Sequence, residues 1–141
     1  MDLSELVTQD NAEQGVWFRY IVNGKKYPFS INILGEDSDK VFLHKREKEK
    51  KAQKAIGMIF RQEDLTSEIE TVEDLKTEKI EDAVIRMNGL RSEDKDPLTM
   101  QGVELKSDEE SYRLLCKKIP DVIDFVISKS GNRANFLANR K

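Results

Sequence analysis

The sequence predicts an α+β fold that is mainly α, with an N-terminal β-hairpin followed by four or so amphipathic helices. Three observations lead there. A β-rich run on each side of Asn23-Gly24 marks a hairpin, because that dipeptide adopts the positive φ angles of a type I′ turn at little cost. Ser67 with Glu70, and Ser107 with Glu110, read as capping boxes, in which two side chains satisfy orphan N–H groups at a helix start. Finally, 36% of the 141 residues are charged and 38% hydrophobic, enough apolar surface for one thin core and too little for two.

Residues 1–14 carry Leu3, Leu6 and Val7 as their only large apolar side chains and are expected to form a flexible arm. Residues 15–131 are expected to be a single helical domain with the hairpin at its start. The first strand is Val16 to Val22, dense in β-branched and aromatic residues; the second runs from Lys26 to Ile33. Pro28 has no N–H to donate, so its strand lies at a sheet edge or turns the proline nitrogen to solvent. A lone hairpin is marginal in water and must pack on helices.

Ser38 is an N-cap candidate for a helix from Asp39 to about Phe60. Between Lys40 and Lys54 this helix holds seven Lys or Arg against two Glu. From Gln62 to Asp82 the sign reverses, with nine Asp or Glu against two Lys, so the two segments would pair well if antiparallel. Exposed ion pairs are worth only about 0–1 kcal/mol each, so such pairing selects an arrangement more than it stabilises one. The second helix, opened by Ser67 and Glu70, is expected to end at Asn88-Gly89, a good left-handed stop, with Ile69, Val72, Ile80, Ala83, Val84 and Met87 as its apolar stripe.

Residues 91–106 read as a loop with a short extended piece at Val103-Glu104-Leu105. The next helix turns Tyr112, Leu115 and Cys116 inward, and Pro120 starts another, whose Val122, Ile123, Phe125, Val126 and Ile127 make it the most buried-looking segment. Residues 132–141 are expected to be a basic C-terminal tail with Phe136 and Leu137 exposed.

Composition narrows function. The net charge of −3 gives no global pull toward nucleic acid or an anionic membrane, and no apolar stretch is long enough to span a bilayer. One cysteine permits no internal disulfide, and the N-terminus lacks a signal-peptide pattern, so a cytoplasmic protein is expected. His44 and Cys116 lack partners nearby in sequence and read as a solvated side chain and an inert core hydrophobe. No catalytic, metal or cofactor site is expected, since the chain has no phosphate-binding glycine loop and its paired acids diverge on their helices. Binding of other proteins is left as the expected activity, with Trp17, Phe18, Arg19, Tyr20, Arg133, Phe136 and Leu137 as candidate interaction residues, because Trp, Tyr and Arg most often anchor interfaces. A homo-oligomer is compatible with this. The alternative of a small nucleic-acid-binding protein would use Lys45, Arg46, Lys48, Lys50 and Lys51, although the interleaved Glu47 and Glu49 weaken a phosphate grip.

The layout also resembles the small tail assembly chaperones of long-tailed bacteriophages. The resembling pieces are Gly15-Val16-Trp17-Phe18, Leu34 to Asp39 ahead of a basic helix, Ile80 to Leu90, Pro97-Leu98-Thr99, and the closing Pro120, Phe125, Arg133, Phe136 and Leu137. The resemblance implies a viral protein of the host cytoplasm that coats the helical tape-measure protein and recruits tail-tube subunits, in some cases beside a frameshifted longer form. A structural tail or neck subunit retained in the virion is the competing implication.

Overall fold

The computed structural model describes residues 2–60 and 71–138. A 3-10 turn at Ser4–Leu6 leads into helix α1, Gln9–Gln14. Strands β1, Val16–Val22, and β2, Lys25–Ile33, form the hairpin, with Asn23 and Gly24 at φ of 53° and 77° as a type I′ turn requires. Helix α2, Asp39–Phe60, starts where the sequence places it, with the Ser38 hydroxyl accepting from the Val41 N–H. The box Ser67 with Glu70, and Ile69, lie outside the described residues. Helix α3, Val72–Val84, is capped instead by Thr71, whose hydroxyl accepts from the Asp74 N–H while the Asp74 carboxylate accepts from the Thr71 N–H.

Two expectations need correction here. The second helix does not run to Asn88-Gly89; it stops at Val84, and Met87–Ser92 forms strand β3, antiparallel to β2, giving a three-stranded sheet ordered β1-β2-β3. The stretch expected as a flexible arm carries α1, which buries Ala12, and the Ala12 carbonyl accepts from the Gly35 N–H.

A small hairpin follows, β4 at Thr99–Met100 and β5 at Val103–Glu104, in the stretch read as a loop with one extended piece. Helix α4, Glu109–Lys118, is capped by Asp108 rather than by the expected Ser107; the Ser107 hydroxyl instead bonds both the N–H and the carbonyl of Leu90 in β3. Helix α5, Asp121–Gly131, begins after Pro120, and a 3-10 turn at Arg133–Phe136 closes the described chain.

The sheet positions everything else. Alternation along β1 turns Phe18 and Tyr20 to one face, into a core cluster that also holds Tyr112 and Leu115 of α4 and Val122 and Val126 of α5. Each large side chain buried there contributes roughly 1.5–3 kcal/mol, the dominant favourable term of the fold. Tyr20 stacks on Phe29 at 4.9 Å and meets Phe125 edge-on at 5.0 Å. Among the described residues, no helix is long and apolar enough to cross a membrane.

Candidate functional site

The other face of the sheet belongs to the alternate residues of β1, namely Trp17, Arg19 and Ile21. Trp17 pairs across β2 with Asn32, which pairs with Gly89 of β3; Arg19 pairs with Ser30, which pairs with Arg91. The centre of this face is built from short side chains, so the long ones lie over it. The Trp17 indole crosses the sheet as far as Gly89, where an added Cβ would stand 2.8 Å from its Cη2. Glycine at position 89 is thus a gap that the indole occupies.

The Arg91 guanidinium sits 4.3 Å from the centroid of the Trp17 ring, a cation–π arrangement that holds the ring in one orientation. Arg91 is fixed in turn, since its Nε donates to Glu93 Oε1 at 3.0 Å, and the Ser30 hydroxyl donates to the same oxygen at 2.5 Å. Hydrogen bonds from Ser30 and then Arg91 hold the Glu93 carboxyl below the usual carboxylate range. Arg19 donates through Nε to the Tyr27 carbonyl. Trp17 remains 39% exposed and Ile21 47%, so an aromatic ring, an aliphatic side chain and a guanidinium share one solvent-facing patch. Such a patch can bury apolar area while offering donors to a partner.

The other expected interaction residues lie elsewhere. Phe18 and Tyr20 point into the core, as the period of two dictates once Trp17 and Arg19 face out. Phe136, expected at the surface, is 1% exposed and meets Phe18 edge-on at 6.3 Å. Leu137 is half-buried, with its carbonyl accepting from Asn11 Nδ2 at 2.8 Å. Arg133 is exposed and grips both oxygens of Asp37 at 2.8 Å, which keeps that carboxyl below its ordinary value. The described part of the tail is therefore docked on its own domain, because Phe136 finds a place in a core too small to spare a large apolar side chain. Arg140 and Lys141 lie outside the described residues.

The basic helix is partly neutralised. Lys48 pairs with Asp82 at 2.8 Å and Glu78 at 3.2 Å, and Lys45 with Glu36 at 3.3 Å. Lys50 lies 3.8 Å from Glu47 on its own helix, and the charge of Lys51 acts on Asp74. Asp82, Glu78 and Asp74 run down α3 as Lys48 and Lys51 run up α2, the antiparallel pairing that the charge blocks suggest. Only Arg46 of the five residues proposed for nucleic acid is free of such ties among the described residues.

His44 is not a solvated side chain. It is half-buried, with Nε2 2.8 Å from Asp82 Oδ1. Burial alone would raise the Asp82 carboxyl, but hydrogen bonds from Lys48 and His44 outweigh it and hold the group below its ordinary value of 3.8. Cys116 is fully buried, its Sγ 3.7 Å from Met87 Sδ, and burial pushes the thiol up to about 12. It stays protonated at neutral pH and cannot act as a thiolate.

Sequence reasoning missed Gly89 and Arg91 as parts of the patch. Nothing local could have revealed them, because their meeting with Trp17 depends on the β2–β3 register. Comparison with known protein families, with curated proteins and with solved structures finds no match to this chain.

Proposed function

We propose that this chain is a non-enzymatic protein-binding protein that engages its partner through the open face of the sheet centred on Trp17. The observation that carries the proposal is the half-exposed indole held flat across Gly89 by Arg91, with Ile21 exposed on the same face. A hydrophobic ring left in water costs free energy, and clamping it beforehand lowers the ordering cost that a partner would otherwise meet. The protonated, buried state of Cys116 and the engagement of His44 with Asp82 support a role without nucleophilic chemistry.

The resemblance to tail assembly chaperones supplies the client in this proposal: the tape-measure protein, with tail-tube subunits recruited to it in the host cytoplasm. The test is co-expression with the tape-measure and tail-tube proteins of the same source, followed by co-purification. Replacing Trp17 by Ala should abolish co-purification while leaving the melting temperature nearly unchanged. Undiminished co-purification of the Trp17→Ala protein would remove the sheet face as the binding site. Detection of the chain in purified virions would replace the chaperone by a structural subunit.

A further inference from the structure

A second surface shares no residue with the Trp17 face. Helix α3, the end of α4 and the start of α5 enclose a groove of about 670 Å³. Its floor is apolar, formed by Ile80, Cys116, Pro120 and Ile123. Its rim is basic. Lys76 and Lys79 reach it from α3 and Lys117 from α4, against Glu73 as the one acidic lining residue.

These three lysines are exposed and have no ion-pair partner among the described residues, in contrast to Lys45 and Lys48 on α2. The contrast with their surroundings is marked, because α3 is otherwise acidic and spends Glu78, Glu81 and Asp82 on pairs elsewhere. Lys76 and Lys79 are three residues apart, about one helical turn, so they present two charges in a row along the groove wall. A wall of ammonium groups over an apolar floor matches a ligand with carboxylates on one stripe and aliphatic side chains on the next. Carboxylates would meet the lysines while the aliphatic groups leave water at Ile80 and Ile123.

We propose that this groove docks an acidic amphipathic helical segment of a partner protein. The groove shares no residue with the Trp17 face, so the two sites can be tested separately. The probe is a short synthetic peptide with Glu along one helical stripe and Leu along the next, together with its Gln-for-Glu counterpart. Titrated into the isotopically labelled full chain, the Glu peptide should shift the amide signals of Lys76, Lys79, Ile80, Lys117 and Ile123 and leave those of Trp17 and Arg91 in place. The Gln peptide should bind roughly tenfold more weakly or worse, as expected for losing several partly desolvated charge pairs. In the combined variant Lys76→Glu, Lys79→Glu, Lys117→Glu, affinity for the Glu peptide should fall by a similar factor and a Lys-for-Glu peptide should bind instead. Shifts confined to other surfaces, equal binding of both peptides, or groove shifts produced by anionic vesicles but not by the Glu peptide would each overturn the proposal. Undiminished co-purification of the Trp17→Ala protein with these shifts intact would fault the sheet-face reading alone.

Discussion

The body of this protein, α3 included, and its helix α2 are held by different forces. In the body, β1 and β2 press Phe18, Tyr20, Ile31 and Ile33 against α4, α5 and the closing turn, and the larger of these side chains are nearly or fully buried. In α2, Val41 is the only described side chain that is buried, and the helix then continues for several turns with Phe42, Leu43 and Ile56 exposed. What joins α2 to α3 is charge, through His44 and Lys48 on Asp82 and Lys48 on Glu78. Apolar burial scales with area and is not screened by salt or titrated by pH, whereas half-exposed ion pairs are worth little and weaken with added salt and with protonation of the acid. One region should therefore behave as a rigid platform and the other as a detachable limb.

The largest expected effect falls on the body. Phe136→Ala removes a ring that is 1% exposed against Phe18 and should cost about 3–5 kcal/mol, read from chemical denaturation. A loss below about 1 kcal/mol would mean that the closing turn is not part of the core and would revive the exposed tail. Next, amides in α2 beyond Val41 should exchange with solvent on the order of a hundredfold faster than those in the centre of β2 and in α5. Equal protection would break the contrast between platform and limb.

A smaller effect is expected at Asp82. Its folded value lies below 3.8, so its contribution to stability is present above the unfolded value and is lost as pH falls through the folded one. Asp82→Asn should cost about 1 kcal/mol at pH 7, and the gap between variant and parent should close as pH drops below about 3–4. A gap that persists unchanged in acid would assign the loss to packing rather than charge. The smallest change in stability belongs to Trp17→Ala, within about 1 kcal/mol, because the ring is already half in water.

How far the sequence shows this architecture depends on whether the cause is local. The hairpin is legible because Asn23-Gly24 forces its turn, and α2 because Ser38 and an unbroken run define it. Strand β3 is not, because Met87–Ser92 carries a dipeptide that ends helices equally well, and only pairing with β2 makes it a strand. Ser107 misleads in the same way. Its capping pattern is real, but the Leu90 backbone competes for its hydroxyl and Asp108 takes the cap. For the candidate site, alternation along β1 already separates Trp17 and Arg19 from Phe18 and Tyr20. The placement of Gly89 and Arg91 beside the indole needs the fold.

Trp17 is the chain's only tryptophan, so its fluorescence reports on the sheet face and on nothing else. A tryptophan-free fragment of the tape-measure protein, added to the intact chain, should shift the emission to shorter wavelength and protect the ring from acrylamide quenching in proportion to the fraction bound. Binding demonstrated by calorimetry with emission and quenching both unchanged would contradict the account, because the partner would then be held by a surface that leaves Trp17 in water.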